Sequence, residues 1–394
     1  MLSFLLFGVF SLDNGLALTP PMGWMAWEQF RCEVDCTNHP DTCISEKLFV
    51  DMIDNLVSGG WLEYGYQYIN IDDCWMGPGR DENDEMYPDQ SRFPHNITWL
   101  AEYAHKKGVK LGIYNDYGSL TCGGYTGSEG HLLQDAQTFA KWKVDMLKMD
   151  GCYSNLLDCG DAYPGMTHFL NKTGRQIMYQ CSWPAYDMEM DYTPLPEHCN
   201  LWRNWDDIEA NWRSILSIID KWGNTPEWAQ YAGPGHWNDP DQLVIGMKGG
   251  KLTEVESETQ MGIWSILAAP LIMTNDLRDV PDFAKRILQN REVIAVDQDP
   301  LGIQGYRVTE WGNDKTVWVK ELSNGEWAVA LFNRGDVKQT ITATFADFLK
   351  EGQQTNWHLR DLFLQKDLGN FEGSYTQKDI PAHGIVMLRL TAPK

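Results

Sequence analysis

The sequence predicts an α/β chain: a (β/α)8 TIM barrel over residues 12–302, followed by an antiparallel β-sandwich over residues 303–394. Three observations predict it. From about residue 20 to 300, short β-rich runs alternate with helical periodicity. The strand candidates in that stretch run apolar and then turn acidic at their C-terminal ends, where a barrel builds its site. Past Asp299-Pro300-Leu301-Gly302 the helical periods stop and β-type alternation takes over. A chain of 394 residues also exceeds what one compact core holds, which agrees with two domains.

Residues 1–11, MLSFLLFGVFS, form an apolar run that ends in a small residue and is too short to span a bilayer. We read it as the core of a signal peptide; with no Lys or Arg ahead of it, the signal reads as incomplete. Strand candidates follow at 66–71, 110–114, 145–149, 176–181 and 201–204. Between them, Leu48, Phe49, Met52, Ile53, Leu56 and Val57 place apolar groups on one helix face, and Gly59-Gly60 stops that helix. A second helix spans 212–222, with Ile215, Leu216, Ile218 and Ile219 inward, and 262–267 belongs to a third. A doubly wound sheet uses the same βαβ units, but no GxGxxG follows the first strand, and acidic strand ends recur around the chain. In the last domain, strands are expected at 316–320, 327–332, 339–345 and 385–390. Turn signals Gly312-Asn313-Asp314 and Ser323-Asn324-Gly325 separate the first of them.

The formal net charge of −23 repels a phosphate backbone, so nucleic acid is excluded as a partner. No run after the first reaches 18 apolar residues, so no membrane span is expected. Trp is abundant at 18 copies; flat rings cover the apolar face of a pyranose as well as fill a core. The nine cysteines stand at 32, 36, 43, 74, 122, 152, 159, 181 and 199, without CxxC pairs. Behind a signal peptide they read as disulfides, with one thiol left over. Sequons at Asn96 and Asn171 read as glycosylation sites on the same secretory route, to a lysosomal or secreted destination.

Chemistry collects at the strand ends. Asp72 and Asp73 follow one strand, Lys148-Met149-Asp150 end another, Arg203 and Asp206-Asp207 a third, and Asp239-Pro240-Asp241 a fourth. One such Asp ordinarily caps a helix or makes a turn, but the recurrence exceeds what capping requires. Lys148 and Asp150 are two apart and share one strand face; a lysine beside a carboxylate keeps it ionised. Asp150 is therefore a candidate nucleophile, with Asp206, Asp207, Asp241 or Asp73 as its acid partner. A metal-dependent hydrolase is the rival. It lacks HxH and HExxH, and Asp81-Glu82-Asn83-Asp84-Glu85 lacks EF-hand spacing, so no metal or other cofactor is expected.

Leu12-Asp13-Asn14-Gly15-Leu16-Ala17, Pro21-Met22-Gly23-Trp24, Ile71-Asp72-Asp73-Cys74-Trp75, Lys148-Met149-Asp150-Gly151-Cys152, Trp202-Arg203-Asn204 and Trp237-Asn238-Asp239-Pro240-Asp241 resemble the α-galactosidase and α-N-acetylgalactosaminidase family, glycoside hydrolase family 27. The resemblance covers nearly the whole mature chain. It implies a retaining double displacement with Asp150 as nucleophile and Asp207 as acid/base. It further implies that Asp72 and Asp73 hold the sugar's outer hydroxyls, that Lys148 holds the 3- and 4-hydroxyls, and that Trp27 and Tyr114 form an aromatic wall. Arg203 then stands beside the acid/base and the 2-substituent, with Cys122, Cys152 and Tyr186 also in the pocket. The implied disulfides are Cys32–Cys74, Cys36–Cys43, Cys122–Cys152 and Cys181–Cys199, which leaves Cys159 alone.

In family members specific for galactose, the positions of Ser182 and Ala185 resemble Glu and Leu. Both are small here, which resembles the N-acetylgalactosaminidase type: Ser182 offers a hydrogen bond to an acetamido group, and Ala185 leaves room for its methyl. Activity on α-galactosides should persist, since such a pocket rejects a smaller substrate poorly. Gln242 departs from the Met usual in animal members and is expected at the pocket rim, where it bears on fine specificity. The expected partner is a carbohydrate ending in α-linked N-acetylgalactosamine or galactose, and the resemblance implies a homodimer. The alternatives are an α-galactosidase in the narrow sense and a non-catalytic lectin on the same scaffold, which would not need both Asp150 and Asp207.

Overall fold

The structure, a computed structural model, describes residues 12, 14–310, 312–350 and 352–393. The signal-peptide reading of 1–11 lies outside the described residues. Eight short strands come first: β1 (Met22–Met25), β2 (Tyr68–Asn70), β3 (Lys110–Asp116), β4 (Met146–Asp150), β5 (Met178–Cys181), β6 (Leu201–Arg203), β7 (Trp237–Asp239) and β8 (Leu271–Met273). They pair in parallel in the order β7-β6-β5-β4-β3-β2-β1-β8. Leu243, just past β7, closes the ring: its N–H donates to the Ile272 carbonyl at 2.8 Å, and it bridges Met273 in parallel. This consecutive, closed order is a barrel; a doubly wound sheet would reverse its strand order partway.

Helices Glu46–Ser58, Asn96–Lys106, Leu132–Lys141, Cys159–Lys172, Trp212–Asn224 and Glu254–Ile266 pack outside the ring. Their starts are chemically set. Ser45 accepts from Leu48 N–H and Asn211 from Ser214 N–H, while Thr253 and Glu256 form a capping box. That box starts, at Glu254, the helix to which 262–267 was assigned. β1 and β8 had no strand candidate in the sequence, being four and three residues long. Gly23 in β1 lets it approach β2, since a Cβ there would stand 2.6 Å from the Tyr68 carbonyl oxygen.

Strand alternation decides what faces the barrel axis. Met146 joins an interior cluster with Met25, Tyr68, Met178, Leu201 and Trp237. Leu147 and Met149 point outward into the main core against the helices. Lys148 and Asp150 therefore continue the inward face of Met146, above that apolar floor.

The C-terminal domain holds β9 (Tyr306–Arg307), β10 (Lys315–Glu321), β11 (Trp327–Asn333), β12 (Gln339–Thr344), β13 (Asn356–Asp361), β14 (Lys366–Glu372), β15 (Ser374–Ile380) and β16 (Ile385–Thr391). An antiparallel sheet β14-β13-β16-β11-β10-β9 faces the pair β12-β15. The larger sheet is apolar on both sides. Val317, Val319, Val329 and Leu331 fill the sandwich, while Trp318, Ala328, Ala330 and Phe332 join the barrel core. Gly262 of the barrel helix is pressed there: a Cβ on it would lie 2.8 Å from Ile385 Cδ1. Beside it the buried Lys320 ammonium donates to the carbonyls of Val296 (2.7 Å) and Asp297 (3.1 Å).

Candidate active site

Ten of the residues singled out from the sequence line one cavity of about 170 Å³ at the C-terminal mouth of the barrel. Trp27 reaches it from the short helix Trp27–Phe30 after β1, Asp72 from the end of β2, Tyr114 from β3, and Lys148 and Asp150 from β4. Cys122 and Cys152, Tyr186 of the helix Trp183–Tyr186, Arg203 at the end of β6 and Asp207 beyond it complete the set. Asp241 and Gln242 also line the wall, after β7.

Asp150 Oδ2 accepts from the Tyr114 hydroxyl at 3.0 Å, and its Oδ1 accepts from Gly151 N–H at 3.2 Å. Burial, reinforced by Asp150 itself, holds the Tyr114 phenol far above its ordinary value, so it stays a neutral donor. The sequence reading paired Lys148 with Asp150. The ammonium instead bonds Asp72 Oδ2 at 2.7 Å, in a pair buried on both sides. Burial opposes the charge on Lys148, but Asp72, Asp150 and Asp241 outweigh it and hold its pKa above the usual lysine value. Asp72 is raised by the same burial, against the pull of Lys148.

Asp207 differs from every other acid in the cavity: its side chain is 75% exposed, in the mouth. Arg203 Nη2, itself buried, donates to Asp207 Oδ1 at 2.9 Å and lies 3.1 Å from Asp241 Oδ2. The guanidinium holds the Asp207 carboxyl below the usual carboxylate range. The competing acids are committed elsewhere. Asp241 accepts from the N–H groups of Ile208 and Gln242, Asp73 from those of Cys74 and Gly123, and Asp206 is exposed outside the cavity. Burial pushes the Asp73 carboxyl up to about 6. Asp207 is thus the carboxylate of this cavity most open to solvent.

Three of the residues named from the sequence do not line the cavity. Asp73 is buried behind it and tethers the loop carrying Cys122 through Gly123. Ser182, buried, immediately precedes the four-residue helix that presents Tyr186, and Ala185 lies within it. Conversely, the sequence offers Asp241 only as an alternative acid, whereas Gln242 lines the pocket at whose rim it was expected. Asp241 adopts φ 77°, so its chain leaves the strand alternation that sequence reasoning follows.

The structure holds disulfides Cys32–Cys74, Cys36–Cys43, Cys122–Cys152 and Cys181–Cys199. Cys122–Cys152 is part of the wall itself, with the Tyr186 hydroxyl 3.1 Å from Cys152 Sγ. It ties the loop after β3 to the end of β4. Beneath it Asp116, fully buried, accepts from the N–H groups of Gly118 and Cys152, and burial pushes its carboxyl up to about 8. Asp116, Cys122 and Cys152 are also the one grouping of three metal-type ligands among the described residues, but both sulfurs are spent in the disulfide. Cys159 is a buried free thiol 2.9 Å from the Tyr117 hydroxyl. Asn96 and Asn171 are exposed. No helix among the described residues is long and apolar enough to cross a membrane.

The family model for alpha galactosidase A matches residues 19–299, and the model for the alpha galactosidase C-terminal beta sandwich domain matches residues 312–390. The chain is 53% identical over 329 residues to an alpha-N-acetylgalactosaminidase of Gallus gallus, covering 82% of this chain and 81% of the relative. It is 50% identical to the Homo sapiens alpha-galactosidase A, covering 97% of this chain and 91% of that one. Among solved structures, alpha-galactosidase I from Mortierella vinacea superposes with a TM-score of 0.87 at 33% identity, covering 97% of this chain and 99% of that one. The chain is a carbohydrate-acting glycoside hydrolase and belongs to the α-galactosidase and α-N-acetylgalactosaminidase family, glycoside hydrolase family 27.

Proposed function

We propose that this enzyme removes terminal α-linked N-acetylgalactosamine from glycolipids, glycopeptides or oligosaccharides with retention of configuration, and acts more weakly on α-linked galactose. The observation that carries the reading is the meeting of two unlike carboxylates in one cavity: Asp150, inward on β4 and bonded to a neutral phenol, and Asp207, exposed in the mouth. A cavity of about 170 Å³ is below the usual range for drug-sized ligands, which favours a single sugar ring and hence exo action.

In this mechanism Asp150 attacks the anomeric carbon while protonated Asp207 gives its proton to the glycosidic oxygen. The C–O bond breaks, the aglycone leaves as an alcohol, and a β-linked glycosyl ester forms on Asp150. Asp207, now a carboxylate, takes a proton from water, whose oxygen attacks the anomeric carbon. The ester bond breaks and the α-configured sugar is released. Asp72 and Lys148 fix the 4-hydroxyl edge, and Trp27 covers the apolar ring face. Arg203 turns toward the 2-substituent. Ser182 and Ala185, behind the cavity lining in the segment that carries Tyr186, are small, which favours room for an acetamido group on that side. A homodimeric assembly, glycans at Asn96 and Asn171 and a lysosomal or extracellular location belong to the same reading.

The deciding measurement is kcat/KM on matched aryl α-N-acetylgalactosaminide and α-galactoside. Preference for the first is expected; preference for the second makes the enzyme an α-galactosidase in the narrow sense. A mechanism-based epoxide should label Asp150. A folded protein that binds either sugar but is neither labelled nor active would be a lectin.

A further inference from the structure

We propose that Gln242 helps position the terminal sugar by hydrogen-bonding its 3-hydroxyl through the side-chain amide. This rests on the reading above and adds a contact to it. Gln242 is only 4% exposed and lines the catalytic cavity. Its Oε1 is buried with no hydrogen-bond partner among the described residues, so the side-chain amide at this wall is not fully paired within the protein. An unpaired buried amide is unfavourable unless something arrives to bond it.

The backbone that carries it is fixed, so the side chain has not drifted there. Asp241 N–H donates to Asp239 Oδ1 and Gln242 N–H to Asp241 Oδ1, both at 2.8 Å. Trp264 Nε1 donates to the Asp241 carbonyl at 2.8 Å, and Gln260 Nε2 to the Gln242 carbonyl at 3.0 Å. With Asp241 at φ 77°, these four bonds over-determine an uncommon turn directly before Gln242.

The cyclic order of the barrel selects the hydroxyl. With the anomeric carbon at Asp150 and Asp207, the 2-substituent beside Arg203 after β6 and the 4-hydroxyl at Asp72 after β2, carbon 3 lies between carbons 2 and 4. The wall between β6 and β2, on the side away from Asp150, is supplied by β7, β8 and β1; Asp241, Gln242 and Trp27 stand there. A hydroxyl offers both a donor and an acceptor to an amide.

The test compares wild type with Gln242→Met, an apolar residue of similar length, and with Gln242→Leu as a second apolar replacement should Met perturb folding. Each is assayed on the parent aryl glycoside and on its 3-deoxy analogue. Binding of the free sugar and its 3-deoxy form is measured by calorimetry. Taking the ratio within each protein cancels general damage. Wild type should lose on the order of 10–100-fold on removal of the 3-hydroxyl, and at least about tenfold more than the variants lose. An equal loss in all three proteins, with sugar still bound and cleaved, overturns the Gln242 assignment and leaves the functional reading standing. A protein that neither binds nor cleaves either sugar sinks both.

Discussion

Arg203 and Asp207 set opposing demands at a single contact. The proposed first step needs Asp207 protonated, yet the guanidinium 2.9 Å away favours its ionised form. The free enzyme therefore carries the acid form only at low pH. On this basis kcat/KM should fall as pH rises through a depressed carboxylate pKa, giving an acidic optimum. Arg203→Met should raise the Asp207 pKa and move that falling limb to higher pH, while lowering kcat/KM; an unmoved limb would break the link between the two residues. At Asp150, replacement by Asn should reduce turnover by at least about 10³-fold while the fold persists, and near-normal turnover would refute its role. The shared inward face of Lys148 and Asp150 was legible because strand alternation has a fixed period of two. The bond from Lys148 to Asp72 was not, because it joins β4 to the end of β2 and depends on barrel geometry that no spacing encodes.

Elements matter here through what braces them. The Cys122–Cys152 bridge closes a 30-residue separation and forms part of the cavity wall. Removing it by the double change Cys122→Ser with Cys152→Ser should cost about 3–4 kcal/mol of stability, read from denaturation midpoints. Activity should fall further than stability alone explains, because the Tyr186 hydroxyl and Cys152 N–H lose their setting. The short helix Trp183–Tyr186 carries the specificity argument. Ser182→Glu with Ala185→Leu should swing the kcat/KM ratio toward the α-galactoside; an unchanged ratio would show that the 2-substituent is read elsewhere. Long periodic elements were easy to read, as the helix Glu46–Ser58 illustrates with its buried Leu48, Phe49, Met52, Ile53 and Leu56. β1 and β8 were not, since three or four buried residues carry no period, and Gly23 is explained only by the strand beside it.

At the scale of the molecule, the barrel's main core runs on into one face of the larger sandwich sheet. Replacing the buried Lys320 by Met would strand the carbonyls of Val296 and Asp297 and should lower global stability by about 1–3 kcal/mol. Both domains should melt in one transition, and two resolved transitions would contradict a shared core. The barrel helix Glu254–Ile266 buries ten of its thirteen residues, on the ring side and on the sheet side alike. Such a segment keeps little face for water beyond its first turn. Anyone grafting this catalytic ring onto another scaffold, or swapping pieces between relatives, therefore has to carry the last ninety or so residues along. Cut away from them, the ring would present a bare hydrophobic stripe and invite aggregation, so the two domains form one inheritable unit despite their separate architectures.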